Sequence, residues 1–365
     1  MTLSLYFARR FLGSLLLVLS IFFGIMLLIG TIDELRGLTA RGGGLVMALK
    51  LAALDVPDGL YRILPLIVVL ASIAMFIGLA RSSELVVVRA AGRSGLRFLL
   101  APVTAALVFG VLAVGVLNPL VAATTKLYDT AQTELATGGT QILSVTGNGL
   151  WLRQGGETGQ TVIQAGRTNQ DGTELFGVTF LLLDPSGLPS ARIEAASARL
   201  EPGRWVLTGA KRWDLTASNP EQMAQTLPDG NGVPSDLTRE RIMDSFGTPS
   251  AIAFWALPAY IGGLERAGFS ARTHEVWFQM ELAHPLLLMS MVLVAAGFTM
   301  RHARFGKTGT MVLLAVLSGF AIFFLRNFAQ VLGVNGQIPV MLAAWAPPLA
   351  AAMLALGLLL HLEDG

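Results

Sequence analysis

The sequence predicts an α-helical membrane protein with six transmembrane helices and an all-β, jelly-roll-like domain inserted between helices 3 and 4. Hydrophobic residues make up 53% of the chain and charged residues only 14%, so a soluble fold would lack the polar residues to cover its surface. Long apolar runs fill both ends of the sequence. The middle is polar and alternates apolar with polar residues, which is typical of strands.

Charge and cysteine content exclude several classes of function. The formal net charge is +2 and no run is rich in Lys or Arg, which disfavours nucleic-acid binding. The chain has no cysteine, so it has no disulfide framework, no thiolate nucleophile and no cysteine-ligated metal site.

The first membrane part, residues 1–121, contains three predicted spans. Span 1 is Phe11–Ile32, which at about 1.5 Å per residue is just long enough to cross a hydrocarbon core of about 30 Å. Residues Leu45–Ala80 form one long second span that charged residues and Pro57 interrupt. Span 3 is Phe98–Val121.

A short basic segment between spans 2 and 3 predicts a helix of about two turns over residues 83–92. Ser83 is a good N-cap, and Glu84 lies near the positive end of the helix dipole. Gly92 can supply the left-handed residue that ends the helix.

The apolar residues of this short helix, among them Leu85 and Val88, are too few to cross a bilayer. Because exposed apolar side chains mark interaction sites, they indicate that the helix docks into a groove of a soluble partner. The alternative is a solvated connector whose arginines, Arg89 included, only fix the membrane topology.

Residues 122–248 predict the β domain, a sandwich or jelly roll. Pro202–Gly203 is a predicted hairpin turn, and Asn219–Ser235 is a predicted loop because it is rich in Pro, Gly and Asn. The alternating segments are Leu150–Gln154, Thr161–Ala165, Leu175–Asp184, Ala191–Leu200 and Arg204–Leu215.

Residues 249–365 predict an interfacial helix followed by spans 4 to 6. The helix, Pro249–Gly268, is apolar on one side and carries Trp255 and Tyr260, residues that favour the membrane–water interface. The three spans are Arg272–Met300, Thr308–Leu332 and Ile338–Leu360.

The distribution of basic residues predicts the orientation. The short loops on one side hold only Arg36, Arg41 and Lys50. The other side carries nine basic residues: Arg9, Arg10, Arg81, Arg89, Arg93, Arg97, Arg301, Arg304 and Lys307. Because basic loops stay in the cytoplasm, both termini are expected there and the β domain outside.

The sequence offers little catalytic chemistry. Arg301–Thr308, RHARFGKT, lacks the first glycine of a phosphate-binding loop, so any ATP hydrolysis belongs to another subunit. Glu281 and His284 are three residues apart, a spacing used in metal sites, but without further ligands they favour an interfacial polar face or a proton-sensitive contact. We predict no metal site and no cofactor. No nucleophile arrangement supports a lipid hydrolase or transferase.

Charged residues near the outer membrane surface are candidates for substrate contact. Arg326 lies inside span 5, where a lipid-facing arginine costs roughly 2.5–3.5 kcal/mol at mid-membrane. It should therefore face a cavity, a partner or an anion, or else extend to the outer headgroups. Asp33 and Arg36 follow span 1 and are either solvated charges or a gate pair.

Three groups of residues resemble the LptF/LptG family, the permeases of the lipopolysaccharide export transporter. They are Ser83–Val87 with Ala91–Gly92, Ile32–Leu35, and Leu257–Gly268 followed by Trp277 and Pro285. The third group is more similar to the LptG branch than to the LptF branch, and the resemblance covers nearly the whole chain.

The resemblance implies a non-catalytic permease subunit in the bacterial inner membrane, with its β domain in the periplasm. Its implied partners are an LptF-like permease, an LptB-like cytoplasmic ATPase dimer, and LptC-like and LptA-like periplasmic proteins. The implied cargo is lipopolysaccharide, and spans 1 and 5 are the implied lateral gates. The ATPase would grip the short helix through Glu84, Leu85, Val88, Arg89 and Gly92.

One departure from the family affects the expected substrate contacts. Some members have a basic residue near the outer end of span 1, where this chain has the neutral pair Gly30–Thr31. The expected substrate-binding residues are therefore Asp33, Arg36, Arg62 and Arg326. The alternative to a transporter is a membrane scaffold or sensor whose outer β domain binds a ligand, and copurification of an ATPase would separate the two.

Overall fold

The computed structural model describes residues 2–39, 44–82, 84, 95–137, 143–146, 149–156, 159–169, 171–239, 242, 248–300 and 308–363. Two compact units divide the chain. The first comprises Met1–Ala131, Ser250–Trp255 and Arg272–Gly365, and the second comprises Gln132–Pro249 and Ala256–Ala271.

Nine α-helices are described, and six helical segments are long and apolar enough to cross a membrane. The helices are α1 Thr2–Thr39, α2 Leu45–Arg62, α3 Leu64–Arg81, α4 Gly95–Leu112, α5 Asn118–Thr137, α6 Leu257–Ala267, α7 Arg272–Thr299, α8 Thr308–Val334 and α9 Val340–Glu363. The candidate spans are α1, α3, α4 with α5, α7, α8 and α9, so the predicted count of six is confirmed.

Two local irregularities shape the spans of the first unit. The predicted second span is two helices that meet at Ile63, where φ is −93° and ψ is 5°, and Pro65 lies in the first turn of α3. Proline suits this position because its missing N–H would have no helical partner there. In span 3, a π-helix over Ala113–Leu117 joins α4 to α5.

Helix α7 lies at the centre of the first unit, where it packs against α3, α4, α8 and α9. Its closest approach to α4 is at Gly110, where an added Cβ would lie 2.5 Å from Pro285 Cα. Only glycine permits backbones to come this close, so Gly110 sets the spacing of spans 3 and 4. The surrounding core contains Phe11, Phe76 and Met291, all fully buried.

The second unit is an antiparallel sheet of nine described strands in the order β1-β2-β3-β4-β5-β6-β9. Strand β7 pairs with β5 and β8, so the long β5 joins both branches of the sheet. The strands are β1 Leu143–Thr146, β2 Gly149–Gly156, β3 Gly159–Thr168, β4 Glu174–Leu183, β5 Pro189–Glu201, β6 Arg204–Thr208, β7 Ala210–Asp214, β8 Gln225–Leu227 and β9 Gly232–Pro234.

The structure differs from the predicted strands at two places. The segment predicted as one strand, Arg204–Leu215, is two, because Gly209 takes φ 61° between β6 and β7. The predicted loop Asn219–Ser235 contains β8 and β9. Each is three residues long, and strands this short carry almost no alternation that a sequence pattern could reveal.

Alternate residues of the sheet form one hydrophobic core, with Trp205 and Phe180 at 0% exposure. Leu264 and Ala267 of α6 belong to this core, so one face of α6 packs on the sheet. The helix ends at Gly268, whose φ is 94° and whose added Cβ would lie 2.1 Å from Thr168 O. The predicted placement of α6 at the membrane interface concerns its other face and stays a prediction.

Candidate functional site

The predicted coupling residue Glu84 accepts two hydrogen bonds. Tyr6 Oη, near the start of α1, donates to Glu84 Oε2 at 3.1 Å, and Ser82 Oγ donates to Glu84 Oε1 at 2.8 Å. Tyr6 is 42% exposed, so we name Tyr6 and Glu84 the exposed pair. The pair connects the predicted coupling segment directly to span 1. The other predicted coupling residues, Leu85, Val88, Arg89 and Gly92, lie outside the described residues.

Two of the predicted substrate-binding groups are ion pairs within single helices. Arg36 and Asp33 lie 3.8 Å apart with both side chains exposed, and Arg62 lies 2.6 Å from Asp58. The end of α1 is further held by Glu34, whose Oε1 accepts a 2.6 Å hydrogen bond from Tyr128 of α5. Exposed ion pairs contribute little to stability, so Arg36 can exchange its partner for another anion at small cost.

A buried polar cluster connects α2 to α7. Tyr61 Oη donates to Glu281 Oε2 at 2.5 Å, and the two residues are 5% and 0% exposed. We name them the buried pair. The His284 ring stacks on Tyr61 with centroids 5.3 Å apart and planes at 7°. The sequence indicated a polar face at Glu281 and His284 but gave no indication that Tyr61 was its partner.

Arg326 of α8 completes this cluster. It is only 8% exposed and interacts electrostatically with Glu281 and Tyr61. The side chain is therefore buried inside the chain, and its assignment as a substrate contact stays a prediction. The cluster brings polar side chains of α2, α7 and α8 together.

The cluster does not assemble a metal site. Within the described residues, no group of three or more His, Cys, Asp or Glu side chains could hold a metal ion. Glu281 Oε1 and both ring nitrogens of His284 are buried without hydrogen-bond partners among the described residues. The arrangement therefore supports a structural role, in which polar side chains hold α2 and α7 together.

The π-helix of span 3 anchors the segment that precedes α6. A π-helix leaves backbone carbonyls without their usual helical partners, and here Gly115 O accepts a 3.0 Å hydrogen bond from Trp255 Nε1. One turn on, the buried Asn118 Oδ1 accepts a 2.8 Å hydrogen bond from the Phe254 N–H. The sequence gave no indication of this contact, because Asn118 and Phe254 lie 136 residues apart.

Comparison with known proteins gives one consistent result. The family model described as "Lipopolysaccharide export system permease LptF/LptG" matches residues 5–361. The lipopolysaccharide export system permease protein LptG of Escherichia coli K12 is 23% identical over 310 residues, covering 84% of each chain. The LptG protein of Haemophilus influenzae is 20% identical over 365 residues, covering 100% of this chain and 99% of the relative.

Proposed function

Because the chain belongs to the LptF/LptG family of lipopolysaccharide export permeases, we propose that it is the LptG-like permease subunit of an ATP-driven transporter. In this proposal the transporter extracts lipopolysaccharide from the inner membrane and passes it to a periplasmic bridge toward the outer membrane. The single observation that carries the proposal is the family match over residues 5–361, which includes all six apolar helices and the sheet. The same observation makes the chain a multi-pass inner-membrane permease.

The unequal burial of the spans supports the proposed gates. In the most apolar 18-residue stretch of each span, the buried share is 61% in α3 and 72% in α7. It is 6% in α1 and 17% in α8. Helices α1 and α8 are spans 1 and 5, the two proposed lateral gates. Because most of their apolar surface is not covered by the rest of the chain, a partner permease or lipid can contact it.

The exposed pair supports coupling to a separate ATPase. Glu84 belongs to the proposed coupling segment, and Tyr6 belongs to a proposed gate helix. A motor that displaces the segment would therefore act on span 1 through one hydrogen bond between exposed groups. The proposed partners are an LptB-like ATPase dimer, an LptF-like permease, and LptC-like and LptA-like periplasmic proteins.

The proposed substrate contacts differ in accessibility. Asp33, Arg36 and Arg62 belong to ion pairs with at least one exposed member, so a lipid phosphate can compete for the arginines. Arg326 is buried beside Glu281 and can reach a phosphate only when α8 separates from α7. We therefore assign Arg326 to an open-gate state and the others to initial capture.

The proposed topology follows the charge distribution, with both termini in the cytoplasm and the β domain in the periplasm. The proposed domains are residues 1–121 with the coupling helix, residues 122–248 as the β domain, and residues 249–365 with spans 4 to 6. The compact units differ from this division at both boundaries, because residues 122–131 belong to the first unit and Ala256–Ala271 belong with the sheet.

Substitution of Glu84 tests the proposed function. The full chain, carrying Glu84→Ala or Glu84→Lys, is reconstituted in proteoliposomes with a partner permease and an ATPase, and ATP-dependent lipopolysaccharide release is measured. We expect release and ATPase association to fall at least about tenfold, because a carboxylate in a partner groove is worth about 1.5–3 kcal/mol. Glu265→Ala, which removes an exposed carboxylate of α6, is the matched control. Unchanged release and unchanged association in the Glu84 variants would refute the assigned role.

A further inference from the structure

A cavity of about 300 Å³ lies between α1 and α3, one helical turn from Tyr6 and from Ser82, which donates to Glu84. It is lined by Arg9, Arg10, Gly13 and Ser14 of α1 and by Ala74 and Gly78 of α3. On each helix the lining positions recur at helical spacing, so the cavity is a groove between two packed helices. Its volume is at the lower end of the range for small-ligand sites.

Small residues keep this groove open. An added Cβ at Gly13 would meet no atom within 4 Å, and an added Cβ at Gly78 would lie 3.9 Å from Arg10 Nη2. The space beside Arg10 is therefore free because residue 78 has no side chain, and the Arg10 guanidinium borders that space.

The groove is electropositive. Its lining contains two arginines and no acidic residue. Within the described residues, the two guanidinium groups have no hydrogen-bond or ion-pair partner, and the Ser14 hydroxyl has none either. Both arginines are exposed, so an anion can reach them, and guanidinium forks fit phosphate oxygens in two-pronged hydrogen bonds.

The depth of the groove indicates the source of that phosphate. Arg9 and Arg10 immediately precede the apolar run of span 1, which places them at headgroup level. The apolar side chains of Leu17 and Met75 line the same groove, farther along the two helices toward the membrane interior. A ligand with a phosphate and an acyl chain matches both ends, and basic pockets between spans on the cytoplasmic side bind anionic lipid headgroups.

We propose that the α1–α3 groove binds the headgroup phosphate of an anionic phospholipid from the cytoplasmic leaflet. Arg9 and Arg10 hold the phosphate, Ser14 donates to it, and an acyl chain lies along the exposed Leu17. The lipid thereby supports the cytoplasmic half of α1, the least buried span. The proposal uses the charge-based orientation but not the export function, so either can fail without the other.

Native mass spectrometry of the full chain, titrated with phosphatidylglycerol or phosphatidylcholine, tests the proposal. We expect one tightly bound phosphatidylglycerol and a preference over phosphatidylcholine of at least about tenfold. Two kinds of variant should abolish phosphatidylglycerol binding. Arg9→Gln combined with Arg10→Gln removes the charge, and Gly78→Leu fills the groove while every charge stays in place.

Two matched controls should leave binding unchanged. Arg81→Gln removes an exposed cation at the same end of α3, and Gly24→Leu enlarges a glycine of α1 whose added Cβ meets nothing within 4 Å. The site would be overturned if Arg81→Gln weakened lipid binding as much as the double arginine variant did while Gly78→Leu bound fully. The binding would then come from diffuse surface electrostatics. Displacement of the lipid by an equal concentration of inorganic phosphate would assign the groove to a free anion and also overturn it.

Discussion

The exposed pair and the buried pair have the same chemistry in opposite surroundings. Tyr6 donates to Glu84 at 3.1 Å where both side chains reach solvent, whereas Tyr61 donates to Glu281 at 2.5 Å with neither more than 5% exposed. In water, a broken hydrogen bond is replaced by one to solvent, so its net value is small. In the core there is no replacement. The first pair can therefore release its carboxylate to a partner, and the second must stay formed.

The largest expected effect is that of Glu281→Ala. It leaves the Tyr61 hydroxyl without an acceptor and Arg326 without its nearby carboxylate, so we expect a loss of about 3–5 kcal/mol in unfolding free energy. Denaturant titration in detergent micelles measures it. Glu281→Gln, which keeps an acceptor for Tyr61, should lose less, and Glu84→Ala should change stability by less than about 0.5 kcal/mol. Equal losses in the Glu281→Ala and Glu84→Ala variants would remove the distinction between the pairs.

Gly110→Ala tests whether the core around the buried pair is as rigid as this comparison assumes. The new Cβ would lie 2.5 Å from Pro285 Cα, so α4 and α7 must separate, and we expect a loss of about 1–3 kcal/mol. Gly262→Ala in α6 is the control, because nothing lies within 4 Å there and alanine favours helices over glycine by about 1 kcal/mol. The temperature of thermal unfolding should fall for Gly110→Ala and rise for Gly262→Ala. A rise for both variants would mean that α4 and α7 separate freely.

Tyr61→Phe isolates the hydrogen bond from the charge. The ring can still stack on His284, but Glu281 Oε2 loses its donor, and a buried acceptor without a partner costs about 1–3 kcal/mol. The difference in unfolding free energy from the wild-type chain measures this cost. An unchanged free energy of unfolding would mean that water reaches Glu281 and that the buried pair is not shielded from solvent.

Tyr6→Phe is expected to have the smallest effect on stability, below about 0.5 kcal/mol, because water replaces the lost donor. Its readout is coupling: ATP-dependent release should fall while ATPase association persists, since Glu84 remains available to the partner. Tyr128→Phe, which loses a similar hydrogen bond at the other end of α1, is the matched control for the helix. If Tyr6→Phe leaves release unchanged, the exposed pair does not transmit movement.

The elements of the fold that depend on local pattern were predictable. Six spans followed from apolar length, and the long strands followed from alternation, because both signals lie within a single segment. The short strands β8 and β9 lie in a stretch rich in Pro, Gly and Asn, where turn signals outweigh three residues of strand.

The partners within the candidate site were not predictable. Glu281 was identified as a polar residue in an apolar span, but Tyr61 lies 220 residues away and only the packing of α2 on α7 brings them together. The same holds for Arg326, which the sequence predicted to face a cavity, a partner or an anion without indicating that it is buried near Glu281 and Tyr61. A single sequence indicates that a buried charge needs a partner, but the choice among several candidates depends on tertiary packing.

The π-helix in span 3 has a consequence for how this chain can vary. It accommodates one more residue than an α-helical turn would, so removing one residue from Ala113–Leu117 would let the helix run on unbroken. Because the wide turn takes up the extra residue, the residues on either side of the deletion would keep nearly the same faces, and Asn118 would stay opposite the Phe254 amide. The Gly115 carbonyl would instead accept a hydrogen bond within the helix and would no longer be available to Trp255. The loss of a single codon would thus remove one anchoring contact here, whereas the same loss elsewhere in the span would rotate everything after it by about 100°.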